Sequence, residues 1–359
     1  MMHRFTLALI TLSVTGVALL GSCIGKIAQR TQQHAALVAQ TIDPDKDNVA
    51  TMLLTLHDDA RNKDLKIRVV YPISLRDESE NDTKLPFIVF SHGLFGSGEM
   101  YDPLTFHWAA NGYIVVQPTH SDSKNLPRRE RLTMREGLRD WSNRPKDVSF
   151  VLDSIATLEE QVPDIAGHID TARIGVGGHS YGAMTSQLIA GVTPRTREDL
   201  SDQRAKAVLL ISPQGENNIL SSSAWDTLRG PVMTISGSND TSIENEPAEW
   251  RKQPFEHSPA GRHVLVWIDE AYHSFGGITG RQRLSISDRA KPNAEHVKIV
   301  QQTSLAYWNT ALRDGVSNVD AISNAVSDSL PVDQTTTLDE NPPTVTITNN
   351  AEVPAGSSR

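Results

Sequence analysis

Ser180 sits between two glycines in the stretch Val176-Gly177-Gly178-His179-Ser180-Tyr181-Gly182-Ala183, a G-x-S-x-G pattern that begins in an apolar run. A serine lifted from a strand end on a sharp turn into a helix needs small residues two before and two after it, and Gly178 and Gly182 meet that need. The hydroxyl is a poor nucleophile until a histidine takes its proton, and the histidine needs a carboxylate to hold its tautomer and stabilise the imidazolium. Two loops downstream of Ser180 supply both groups. Val232-Met233-Thr234-Ile235-Ser236-Gly237-Ser238-Asn239-Asp240 reads as a strand followed by a turn with an acid, which makes Asp240 the candidate carboxylate. Val264 to Ile268 reads as a final strand, and the loop after it carries His273, the candidate base. Glu216, Asp226, Asp269 and Glu270 are the alternative acids. Among the twelve histidines, His179 lies inside the turn itself and is expected to pack away from the nucleophile, while His92 precedes the serine.

A tetrahedral intermediate on Ser180 also requires two N–H groups aimed at its oxyanion. Tyr181, the residue after the serine, is one candidate donor. Leu94, in the glycine-containing loop Ser91-His92-Gly93-Leu94-Phe95-Gly96, is the other. The Phe95 side chain is a candidate for lining a substrate pocket, with plain core packing as its alternative.

These loops need a sheet to hold them. Thr51 to Leu54 and Leu65 to Tyr71 alternate like an edge hairpin. Continuous apolar runs then recur at Pro86 to Phe90, Tyr113 to Val116, Ile174 to Val176, Ala207 to Ile211, Val232 to Ile235 and Val264 to Ile268, as expected of strands covered on both faces. Helical spacing lies between them, clearest at Val148, Val151, Leu152, Ile155 and Leu158 behind Pro145, and Val297 to Leu312 reads as a closing helix. This alternation predicts an α/β fold with a mostly parallel sheet of eight strands flanked by helices.

At these residues the chain resembles the dienelactone hydrolase-like and platelet-activating factor acetylhydrolase-like branch of the α/β-hydrolase superfamily. The resemblance rests on Leu85 to Ser121, with its His-Gly-Leu segment and Trp108-Ala109-Ala110-Asn111-Gly112-Tyr113, and on Asn143-Arg144-Pro145-Lys146-Asp147 through Ser180. It spans roughly residues 50 to 313. It implies the chain order Ser, Asp, His, cleavage of a carboxylic ester, and oxyanion donors at Leu94 and Tyr181. One departure bears on the acid. The acetylhydrolases place theirs after the sixth strand, where this chain has Ile211-Ser212-Pro213-Gln214; Asp240, after the seventh, sits in a Gly237 to Thr241 turn that is similar to the acid turn of bacterial cutinases and polyester hydrolases.

With 359 residues, 38% hydrophobic and 21% charged, the chain suffices for one large domain and its appendages. Its net charge of −9 argues against a nucleic-acid partner. Arg4 followed by an uncharged run from Phe5 to Ile24 reads as an export signal. That run holds Leu20-Gly21-Ser22-Cys23, which resembles a bacterial lipoprotein box and makes Cys23, the single cysteine, the candidate for lipidation and membrane attachment. An ordinary cleaved signal and an uncleaved anchor are the alternatives.

The expected organisation is a lipoprotein-type signal at 1–22, a polar tether at 23–48, a hydrolase domain at 49–314 with a candidate lid insertion at 121–143, and a disordered tail at 315–359. The insertion carries Arg128, Arg129, Arg131, Arg135 and Arg139, read either as recognition of an anionic ester or as a solvated surface. No residue spacing suggests a metal, and no glycine-rich loop suggests a nucleotide, so no cofactor is expected. The expected function is serine-dependent hydrolysis of a small-molecule, lipid or polymer ester through an acyl-enzyme, by a protein exported and held at a bacterial membrane or else secreted. A serine peptidase on the same fold and a catalytically idle lipoprotein that binds are the rivals.

Overall fold

A computed structural model describes residues 48–77, 82–280, 292–330 and 343–350, all within one compact unit, 43–359. The expected signal peptide, Cys23 and nearly all of the tether lie outside the described residues. Nine strands form one sheet: β1 (Val49–Asp58), β2 (Lys63–Pro72), β3 (Leu85–Ser91), β4 (Ile114–Pro118), β5 (Ile169–His179), β6 (Ala205–Ile211), β7 (Val232–Gly237), β8 (His263–Ile268) and β9 (Val345–Asn349). Their order is β1-β2-β4-β3-β5-β6-β7-β8-β9. β3 to β8 run parallel; β2 is antiparallel to both β1 and β4, and β9 is antiparallel to β8. Every residue of β4 and β7 is buried, the physical basis of their unbroken apolar runs.

The helices are α1 (Asp102–Ala110), α2 (Met134–Arg139), α3 (Asn143–Asp153), α4 (Ile155–Gln161), α5 (Tyr181–Ile189), α6 (Gln253–Glu256), α7 (Ala294–Trp308) and α8 (Val319–Asp328). The pattern from Val148 to Leu158 is divided between α3 and α4 at Ser154, whose hydroxyl turns back to the Phe150 carbonyl at 2.8 Å. Asn293 starts α7 by accepting from the N–H groups of Glu295 and His296. This helix packs against the middle of the sheet, where Gly175 on β5 leaves room for it. A Cβ at Gly175 would lie 2.8 Å from both Trp308 and Leu312.

Two expectations need correction. The sheet has nine strands, not eight, and the tail after Gly315 is ordered in part. Val319, Ile322 and Val326 form the buried face of α8, and β9 adds to the free edge of β8. Asn350 fastens that edge, its Oδ1 accepting from the Arg262 and His263 N–H groups at 3.0 and 2.9 Å. Average composition hid these short segments, because few apolar residues suffice when they fall on one face.

The close approach at Gly175 gives a test of the packing. Gly175→Val should lower unfolding stability by about 1–3 kcal/mol through overpacking against Trp308 and Leu312, measured by denaturant titration.

Candidate active site

The turn between β5 and α5 carries Ser180 at φ 55, ψ −120, a conformation that costs a non-glycine residue on the order of 1–3 kcal/mol. The surroundings hold it there. Its N–H donates to the Ile211 carbonyl at 2.9 Å, and its own carbonyl accepts from Ala183 and Met184. A side chain at Gly182 would collide with the Ser91 carbonyl, and one at Gly178 with the carbonyl of Gly182. Both small residues are therefore demanded by backbone contact.

Asp240 follows β7 and is wholly buried. Its Oδ1 accepts from His273 Nδ1 at 2.8 Å, and its Oδ2 from the hydroxyls of Ser236 at 2.8 Å and Ser212 at 2.5 Å. Arg251, 3% exposed, brings its Nε to 3.2 Å from Oδ1 and its Nη2 to 3.4 Å from His273 Nδ1. Its Nη1 donates to the carbonyls of Ser212 and Pro213. Burial alone would push the Asp240 carboxyl up; the Arg251 guanidinium first, then His273 and the hydroxyl donors, hold it well below the usual carboxylate range.

His273, its side chain 19% exposed, is supported by His179. The two rings lie 4.6 Å apart, and His179 Nε2–H donates to the His273 carbonyl at 2.8 Å. With Nε2 carrying that proton, His179 Nδ1 accepts from the Tyr101 hydroxyl at 2.9 Å, which in turn accepts from the Gly93 N–H at 3.0 Å. This neutral chain ties the loop of His273 to the loop of Leu94. The Leu94 loop also approaches the serine closely, since a Cβ at Gly93 would lie 3.4 Å from Ser180 Cβ. Neither the Leu94 N–H nor the Tyr181 N–H, at the first position of α5, has an acceptor among the described residues.

The structure thus gathers Ser180, Asp240, His273, Leu94 and Tyr181 at the carboxyl ends of β3, β5, β7 and β8. The alternative acids are elsewhere: Glu216 faces His257 at 3.7 Å, the exposed Asp269 accepts from Ser238, and Asp226 and Glu270 are exposed. His92 is occupied, its Nδ1 donating to the Gly93 carbonyl and its Nε2 accepting from the His120 N–H. Phe95 is half-buried at φ 57, with the Arg131 guanidinium 5.6 Å from its ring centre. The insertion's helix α2 lies against Tyr181, whose hydroxyl donates to the carbonyls of Gly137 and Leu138. Among the described residues, no three His, Cys, Asp or Glu side chains are arranged to share a metal ion.

Solved structures share this fold. A ferulic acid esterase from Streptomyces cinnamoneus superposes with a TM-score of 0.54 at 19% identity, covering 76% of this chain and 92% of its own. A Klebsiella pneumoniae subsp. pneumoniae protein described as a dienelactone hydrolase superposes with a TM-score of 0.51 at 17% identity, covering 72% and 98%. This chain has the α/β-hydrolase fold. The sequence model of the family described as platelet-activating factor acetylhydrolase, isoform II, matches residues 58–127 of this chain, the part that contains Leu94 and Phe95. No curated protein matches it significantly. The likeness of the Gly237 to Thr241 turn to polyester hydrolases rests on sequence alone.

Sequence reasoning missed Arg251, Ser212, Ser236 and Tyr101, which reach the site from other elements and carry no spacing signal. It also missed Asp122 and Arg144, although Arg144 lies in the segment that carried the family resemblance.

The buried histidines predict a protein sensitive to acid. Burial first, reinforced by neighbouring cations, lowers His120 to about 4 and His179 to about 3; burial also lowers His263 to about 3. The unfolded chain binds protons on these rings below about pH 6.5, while the native state refuses them. Unfolding free energy should therefore be level above pH 7 and fall steadily from about 6.5 toward 4, as followed by urea titration at several pH values.

Proposed function

We propose that the chain is a serine-dependent carboxylic ester hydrolase that works through an acyl-enzyme. The observation that carries the reading is the 2.8 Å contact between the buried Asp240 and His273 Nδ1, on a loop braced by the residue next to Ser180. With Nδ1–H committed to Asp240, the imidazole offers its Nε2 as the base. Ser180 Oγ attacks the ester carbonyl carbon as Nε2 takes its proton, and the oxyanion accepts from the N–H groups of Leu94 and Tyr181. Collapse of the intermediate breaks the bond to the alcohol oxygen, which leaves with the proton from His273. A water molecule repeats the sequence on the acyl-enzyme, giving up its proton to His273, and the acid departs as Ser180 regains its hydrogen.

The acetylhydrolase match and both structural likenesses carry the names of ester-cleaving enzymes, which supports an acyl ester as substrate, whether short-chain, lipid or polymeric. Phe95 and the α2 insertion flank the Leu94 side of the site and are the proposed borders of its pocket. Ser180→Ala should lower turnover of p-nitrophenyl acetate by at least about 10³-fold in a folded protein and abolish labelling by a fluorophosphonate. Retained turnover would overturn the mechanism, and a folded wild type that neither labels nor turns over would favour an idle binding module. Cleavage of peptide amides in preference to esters would favour a peptidase.

Export and lipid attachment through Cys23 are part of the same proposal, supported by the order of Arg4, the apolar run and Leu20-Gly21-Ser22-Cys23. Among the described residues no helix is long and apolar enough to cross a membrane. In a bacterial host, wild type should incorporate labelled palmitate and fractionate with membranes, whereas Cys23→Ala should lose the label; an unlabelled wild type would overturn the assignment.

A further inference from the structure

On the far side of Ser180 from Asp240 lies a second buried ion pair that no step of the mechanism uses. Arg144, in the first turn of α3, is 1% exposed, and Asp122, after β4, is 2% exposed. Arg144 Nη2 donates to Asp122 Oδ1 and Oδ2 at 2.6 and 2.8 Å, with Nε 3.2 Å from Oδ1. The remaining contacts of the pair converge on one short segment. Arg144 Nη1 donates to the His92 carbonyl at 2.7 Å, Nη2 lies 3.5 Å from the Gly93 carbonyl, and Asp122 Oδ2 accepts from the Phe95 N–H at 2.8 Å. The guanidinium also stacks 4.6 Å from the centre of the Tyr181 ring.

We propose that Asp122 and Arg144 are positioning residues that aim the oxyanion donors, holding the Leu94 N–H toward the intermediate on Ser180. This rests on the ester hydrolase reading above. The physical reason is peptide planarity: the Gly93 carbonyl and the Leu94 N–H belong to one rigid unit and point in opposite directions. Whatever holds the carbonyl on one side aims the N–H on the other. That carbonyl accepts from His92 Nδ1 at 2.7 Å and from the Gly96 N–H at 2.9 Å, in addition to its approach to Arg144. On the following side, Phe95 sits at φ 57, a left-handed conformation unfavourable for a phenylalanine, and Asp122 holds its N–H. Ser123 secures the next carbonyl, its hydroxyl donating to Gly96 at 2.7 Å. Leu94 is thus pinned on both sides while its own N–H is left for a ligand.

A planar, two-pronged arginine suits this task because it fixes direction as well as distance; a lysine in its place keeps the charge and loses the fork. Both residues are too deeply buried to reach a substrate. Since the oxyanion is absent from the bound substrate and develops only on the way to the tetrahedral intermediate, misaiming its donor should lower kcat and leave KM nearly unchanged.

The test compares wild type with Asp122→Asn and Arg144→Lys. Four quantities are measured: kcat, KM for p-nitrophenyl acetate, inhibition by phenylboronic acid, and thermal unfolding. Both variants, assayed well below their unfolding temperatures, should lose about 10- to 100-fold in kcat with KM within about twofold. Affinity for the boronic acid, which forms a tetrahedral adduct with the serine, should weaken in parallel. A purely structural role would lower the unfolding temperature and leave kcat and boronic acid affinity near wild type, and that result in either variant overturns the proposal. A wild type without esterase activity overturns both this proposal and the function it rests on, whereas an active wild type with fully active variants overturns this one alone.

Discussion

The site is organised around a carboxylate that water cannot reach. Placing the charge of Asp240 in the interior costs several kcal/mol unless partners replace its hydration shell. Four side chains do so, from four different segments: Ser212 after β6, Ser236 at the end of β7, Arg251 before α6, and His273 after β8. Meeting the needs of that one group therefore fixes the relative placement of the loops that follow three adjacent parallel strands. Arg251 extends the constraint by also holding the carbonyls of Ser212 and Pro213. The position after β6, where the acetylhydrolases resembled by the sequence place their acid, contributes a hydroxyl that donates to the acid one strand further on.

The parallel sheet makes this convergence feasible. Strands β3 to β8 all end on the same side, so the loops that leave them share one edge regardless of their separation in sequence. On that edge the turn at Ser180 is central. β5 lies between β3, which leads into the Leu94 loop, and β6, which leads into Ser212. The contact of Gly182 with the Ser91 carbonyl brings the Leu94 loop against the serine, and the chain through Tyr101 and His179 carries that registration to His273.

What could be read in the sequence follows from how locally each requirement is written. The steric demand on the Ser180 turn is met within five residues, and the strands announce themselves by apolar runs, so Ser180, Asp240 and His273 could be picked as residues following strand ends. The supporting shell has no such signature. Arg251 is far from Asp240 in the chain only by a loop, yet nothing in Trp250-Arg251-Lys252 distinguishes a buried guanidinium from two solvated cations. Asp122 and Arg144 are separated by the entire insertion and meet only once β4 and α3 are packed. The ordered part of the tail was missed for another reason: α8 buries one narrow face and β9 pairs along an existing edge, and neither changes the average composition enough to notice.

The two buried ion pairs stand on opposite sides of Ser180, and their chemistry suits what each side must do. Buried pairs add little net stability compared with apolar packing, because desolvation offsets most of their attraction. Their distinctive property is direction. In the proposed mechanism, Asp240 with Arg251 presents a fixed negative charge to an imidazole that must become positive, while Asp122 with Arg144 fixes the peptide unit whose N–H must meet a developing negative charge. Neither task is served by side chains that reorient as the charge forms, since reorganisation would then add to the barrier. Strained backbone at Ser180 and Phe95 and four desolvated charges around Ser180 are what a site arranged in advance for the proposed intermediate requires of the fold.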